Sequence, residues 1–123
     1  MPYTIKLSED GKYILVTTQG DMTRELAMEH NREAHALGRE LGIKRYLVDL
    51  RASRNVESPT DGYQFAYHDM PEDPEIDRSA RVALLVSPED HSHDFIETVS
   101  RNSGLSVTIF RNYEEALAYL SGE

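Results

Sequence analysis

The chain has 123 residues and a formal net charge of −9, with 39% hydrophobic and 28% charged residues and no cysteine. That length suits one domain, residues 1–123, able to bury a core, and the composition is globular rather than disordered. The acidic balance, without any run of Lys and Arg, argues against nucleic acid and anionic membranes as partners, and the lack of thiols removes disulfides, thiolate nucleophiles and zinc ribbons.

Tyr3, Ile5 and Leu7 alternate with polar neighbours, Asp10-Gly11 follows, and Tyr13 to Thr18 is a second β-rich run, so a hairpin is predicted with Gly11 accepting the positive φ of its turn. From Met22 to Leu41 the apolar residues Met22, Leu26, Ala34, Leu37 and Leu41 keep helical spacing, and Gly42 is the expected stop. Tyr46 to Leu50, Arg81 to Val86 and Ser106 to Phe110 read as short apolar strands, separated by helical patterns near residues 60 to 69, 88 to 103 and 113 to 121. The prolines of Met70-Pro71-Glu72-Asp73-Pro74 are expected to break the helix before them. Strands alternating with helices require crossovers, and crossovers make parallel neighbours. The predicted fold is therefore α/β: a mixed five-stranded sheet in the order ββαβαβαβα, with an N-terminal hairpin followed by parallel strands.

Much of the polar chemistry is that of helix starts. Ser58-Pro59-Thr60-Asp61 and Ser87-Pro88-Glu89-Asp90 each place a Ser cap, a Pro that needs no donor and acids that favour the helix dipole, and Asn112 with Glu115 repeats the logic. Function is still expected nearby, because ligands and partners of open parallel sheets gather beyond the carboxyl ends of the strands. Asp49, Arg51, Ser53, Ser58, Thr60, Ser87 and Arg111 are predicted to lie there and to bind a partner. Arg51 would serve as a forked donor to a carboxylate, and the hydroxyls as adaptable donors and acceptors.

Other groups read as structural. His91 and His93 resemble metal ligands, but on a helix beginning at Pro88 they would point about 200° apart, as two exposed or capping rings. His30 falls in the apolar stripe of the long helix and reads as a core histidine with one or two partners, while Met28 and His35 face elsewhere. Asp69, Glu72, Asp73, Glu75 and Asp77 lack the spacing of a calcium loop and read as a solvated acidic loop. Tyr63, Phe65, Tyr67 and Tyr119 suit the core better than a ligand cleft. No phosphate loop, nucleophile elbow or paired catalytic carboxylates appear, so neither an enzyme, a metal nor a cofactor is expected. The start MPYTIKLSEDGK has no targeting pattern and no stretch reaches membrane-spanning length, which points to the cytoplasm and no membrane insertion.

The stretches "YILVTTQGDMT", "YLVDLRAS" and "VTIFRNYEEALAYLS", in this element order, resemble the SpoIIAA-like branch of the STAS fold over nearly the whole chain. Anti-sigma-factor antagonists of that superfamily carry an Asp-Ser-Ser-Gly type turn after the third strand, whose Ser is phosphorylated by a partner kinase. Here the Ser-Ser-Gly element is absent, and Ser58 or Thr60, near Gly62, stands in as the phosphoacceptor the resemblance implies. The expected function is a non-catalytic regulatory module presenting its strand-end edge to a protein partner, with a homodimer also plausible. The alternative is a carrier of an apolar small molecule or lipid between helices and sheet, for which a continuous apolar cavity would speak and a closed core would not.

Overall fold

The computed structural model describes residues 3–122. Strands β1 (Tyr3–Leu7) and β2 (Ile14–Met22) pair antiparallel, with Tyr3 opposite Thr18 and Leu7 opposite Ile14. Strands β3 (Arg45–Asn55), β4 (Arg81–Leu85) and β5 (Ser106–Phe110) then add in parallel, and the sheet order is β1-β2-β3-β4-β5. This is the mixed five-stranded α/β sheet predicted from the element order. The hairpin connection is wider than a two-residue turn: Ser8 Oγ accepts from the N–H of Lys12 and of Tyr13, while Gly11 takes φ +75° inside the loop.

Each crossover moves one strand onward in the same direction, so the crossover helices share one face of the sheet. On that face Ile14, Val16, Tyr46, Val48, Leu50 and Leu84 meet Met28 and Ala34 of α1 (Arg24–Leu41) and Phe65 and Met70 of the next crossover. The other face is covered by α5 (Tyr113–Leu120), whose Ala116 and Leu120 pack on Leu47, Ala83 and Leu85. Arg45 and Arg81 donate to the carbonyls of Leu120 and Tyr119, satisfying the exposed end of α5 with the charge its dipole favours. Gly42 ends α1 at φ 70°, as its sequence position predicts.

Several boundaries differ from expectation. The long helix begins at Arg24 rather than Met22, because Met22 pairs with Asn55 as strand and Thr23 is the N-cap, accepting from Leu26 N–H. The second crossover starts as expected at α2 (Pro59–Gln64), capped by Ser58, then widens into a π-helical turn over Phe65–Asp69 before α3 (Met70–Glu72). There the Met70 N–H reaches back to the Phe65 carbonyl, and the wide turn carries the chain past Pro71, so the break falls only after Glu72.

The third crossover helix, α4 (Asp94–Asn102), starts six residues later than predicted. "SPED" is no helix cap, since both of its capping groups are engaged elsewhere. Ser87 Oγ donates to the Arg51 carbonyl at 3.0 Å, and the Asp90 carboxylate accepts from Ser92 N–H at 2.8 Å. Met28 and His35, expected to face away from the apolar stripe, are both buried. The reason lies outside their own helix: the loop after α3 closes over α1, giving His35 a bond from Asp77 N–H at 2.8 Å, and the His35 ring stacks on Tyr46 at 4.6 Å.

Candidate functional site

The strand-end rim is shaped by one irregularity in β3. Thr17 pairs with Asp49, but Gln19 pairs with Ala52, so β3 carries one residue more than β2 across this step. A bulge of this kind reverses which face the following side chains take. Even-numbered Tyr46, Val48 and Leu50 point toward the crossover helices before it, and Ser53 points inward after it. Ser53, expected on the partner-binding rim, is consequently buried, with its hydroxyl 2.6 Å from Thr18 Oγ1.

The other rim residues gather at one end of the sheet but on different sides of it. Asp49 shares the Leu47 side, that of α5, and takes a forked bond from Arg51, Nε to Oδ1 at 3.0 Å and Nη2 to Oδ2 at 2.8 Å. Burial alone would push the Asp49 carboxyl up, yet the bonds from Arg51 outweigh it and hold it below its usual range. Arg51 thus already has its carboxylate. Arg111 turns to the loop ahead of α4, donating to the Asp90 carbonyl at 2.9 Å and to Asp94 at 3.3 Å.

Ser58 and Thr60 lie on the helix-layer side, at the start of α2. Ser58 Oγ accepts from Asp61 N–H at 3.2 Å, the capping bond its sequence predicts, and Thr60 is exposed. Around them stand exposed apolar side chains: Val56 is 50% exposed, Tyr63 46% and Phe95 43%. Gly62 brings this shoulder together, since a Cβ there would sit 3.1 Å from Ile96 Cδ1 and 3.3 Å from the Phe95 ring. Asn55 locks the other edge with two bonds to Ser92, each 3.0 Å. Tyr63 stacks on half-buried Tyr67 at 4.5 Å, so of the aromatics expected in the core, Phe65 alone on this helix is fully buried.

Beside the shoulder, an open groove runs between α1 and the α2–α3 crossover. Its carboxylates outnumber its two arginines, and both arginines are taken: Arg24 by Asp69, at 2.5 and 2.8 Å, and Arg32 by Asp73 at 2.6 Å. The acidic loop expected to be solvated is therefore tied back to α1, and the groove presents the remaining negative charge.

Sequence reasoning missed the interior behind this surface. A cavity of about 100 Å³ lies between the sheet and the crossover helices, walled mainly by apolar side chains such as Leu50, Phe65, Val82 and Ile96. His30, His35 and His93 all reach its wall, and all three are buried. His30 Nδ1 and His93 Nε2 have no hydrogen-bond partner, which corrects both readings: His30 lacks the partner expected of a core histidine, and His93 is neither exposed nor capping. Asp90 Oδ2 stands 3.6 Å from His93 Nε2, beyond hydrogen-bond reach. Burial, with a smaller contribution from His35, drives the His30 pKa down to about 4. Burial brings His35 to about 4 against the pull of Asp77, and lowers His93 in the same direction. At neutral pH the three imidazoles of the wall are uncharged. The apolar periodicity around His30 was the one available signal; His35 and His93 gave none.

A sheet with one antiparallel edge, three parallel crossovers on one face and a closing helix on the other defines the SpoIIAA-like fold. Two solved structures share this fold. One is an uncharacterized protein of the DUF3478 family with a SpoIIAA-like fold from Shewanella loihica PV-4, 19% identical, with a TM-score of 0.55 over 96% of this chain and 91% of that one. The other is the anti-sigma factor antagonist SpoIIAA in its unphosphorylated form, 13% identical, with a TM-score of 0.55 over 98% of this chain and 99% of that one. No protein-family model and no curated protein sequence matches the chain. No described helix is long and apolar enough to cross a membrane.

Proposed function

We propose that the protein is a non-catalytic regulatory module that docks a protein partner on the shoulder formed by the start of α2 and the start of α4. The observation that carries this reading is the trio Val56, Tyr63 and Phe95, large apolar side chains left in water around Ser58 and Thr60. The neighbouring groove, with its surplus of carboxylates, suits a partner whose rim is basic around an apolar centre. Thr60 and Ser58 are the hydroxyls a kinase would reach, and a phosphate on either would begin at a helix N-terminus while repelling or recruiting what binds beside it. Arg51, Asp49, Ser87 and Arg111 lie outside this centre, already bonded within the chain. The structural likeness to an anti-sigma factor antagonist, a regulatory protein, supports the reading.

The test is capture of partners from the protein's own source with a photo-crosslinking residue at Tyr63, compared with a Phe95→Ser version of the same protein. A specific adduct that weakens at least tenfold in the Phe95→Ser version is expected. Equal capture by both would end the docking reading.

A second reading has its own observation. The mainly apolar cavity between helices and sheet supports a small-molecule binder.

A further inference from the structure

We propose that the cavity binds one small, uncharged, ring-sized molecule bearing a hydroxyl or amide, against a wall that includes the imidazoles of His30 and His93; the proposal rests on the small-molecule reading above and names its ligand class. Two observations meet in one place. The wall is apolar over most of its extent, which selects a mostly apolar guest, and two of its side chains each bury a ring nitrogen with no partner. A buried nitrogen left without a hydrogen bond is costly, so a guest that supplies one is favoured over an equally apolar guest that does not.

Size restricts the guest first. At about 100 Å³ the space is smaller than the engineered ~150 Å³ cavity that accepts benzene, so a compact ring fills it and an extended acyl chain does not. Charge restricts it further. Of the charged residues on the wall, Arg24 is bound to Asp69, Glu57 accepts from the Arg24 backbone N–H, and Asp77 is bound to Lys44 and Ser79, so no cation on the described wall is free to meet an anion. A carboxylate inside would therefore be a buried, unpaired charge facing neutral rings. A hydroxyl or amide avoids that penalty, and because it both donates and accepts, it can satisfy either tautomer of either histidine.

The test uses the full chain with imidazole nitrogens labelled, titrated separately with phenol, toluene and hexadecanoate while the histidine nitrogen resonances are followed. Phenol is expected to bind roughly tenfold more tightly than toluene and to shift the His30 or His93 resonances, and hexadecanoate is expected not to bind. His30→Leu should bring phenol down to the toluene level. Ala27→Leu, which fills the wall from α1 and keeps helix propensity, should abolish binding of both rings with the thermal midpoint unchanged or raised. Toluene binding as tightly as phenol would overturn the ligand class and leave the cavity reading standing. Hexadecanoate binding more tightly than phenol would do the same in favour of lipid. Failure of all three probes at millimolar concentration would overturn the proposal and the cavity reading together.

Discussion

Thr18 and Ser53, on adjacent parallel strands, share a buried hydrogen bond of 2.6 Å between their hydroxyls. The pair exists because the β3 bulge turns Ser53 inward, one residue out of phase with Leu50, and Thr18 keeps a second, longer bond of 3.3 Å to the Asp49 carbonyl. Ser53→Ala is expected to lower stability by about 1 kcal/mol in urea titration, since Thr18 retains one acceptor, and Ser53→Asp by more, through an unpaired buried charge. If Ser53→Asp unfolded at the wild-type urea concentration, the inward placement of Ser53 would be wrong.

Ser58 separates a cap from a signal. Ser58→Ala removes the bond to Asp61 N–H and should cost about 1 kcal/mol, whereas Ser58→Asp caps nearly as well and should stay near wild-type stability. If the hydroxyl also serves docking, partner capture changes in Ser58→Asp even though its melting temperature does not. Unchanged capture at unchanged stability would confine Ser58 to capping.

Gly38 lets α1 pack tightly against the Tyr46 side chain and the Ile43 carbonyl. A Cβ added there would lie 2.0 Å from Tyr46 Oη and 2.7 Å from the Ile43 carbonyl, and Tyr46 is held by its stack on His35. Gly38→Ala is therefore expected to destabilise by about 1–3 kcal/mol despite the better helix propensity of Ala. A gain in melting temperature would contradict this packing.

The ion pair of Arg24 with Asp69 staples the first turn of α1 to the π-helical turn. Both side chains are partly exposed, so Arg24→Ala should cost no more than about 1 kcal/mol overall. Its local effect is larger: amide exchange across residues 65–72 should quicken several-fold, and high salt should produce part of the same effect in the wild type. Uniform exchange in mutant and wild type would remove the staple.

Acid should destabilise the fold before the carboxylates titrate. His30 and His35 have folded pKa values of about 4, below the ordinary 6.5, so the unfolded chain binds protons that the folded chain refuses. Stability is then flat above pH 6.5 and falls as pH drops from 6.5 toward 4, by roughly 1 kcal/mol per pH unit per histidine. Asp77 and Asp73 near His35 soften the fall, Arg39 sharpens it, and His93 adds to it in the same direction. Below pH 4, paired Asp69 and Asp73, whose pKa values are lowered by Arg24 and Arg32, extend the loss. Urea midpoints measured from pH 7.5 to 4.5 check the slope; a level plot would mean the imidazoles are not buried neutral.

Where the decision was local, the sequence was enough. Alternation in Tyr3 to Leu7, the apolar runs of β3, β4 and β5, Gly42 as a stop and "SPTD" as a start are all set by groups within a few residues of one another, and each lies where it was expected, although β3 runs past Leu50 to Asn55, where it pairs with the end of β2. The alternation of strand and helix then forces parallel pairing, so the sheet and the end at which its rim gathers followed as well. The identical logic failed for "SPED", because Ser87 had a competing acceptor in Arg51, a residue on another strand.

Tertiary structure alone decided the rest, and for one physical reason: burial and hydrogen bonding are properties of what else is nearby, and those neighbours come from distant parts of the chain. The β3 bulge that hides Ser53 is a mismatch between two strands, invisible in either one. Met28, His35 and His93 are interior only because a loop or a strand some tens of residues away lies against them. The two unpartnered imidazole nitrogens and the cavity whose wall both rings join are the clearest case, since an empty volume has no residues of its own to read.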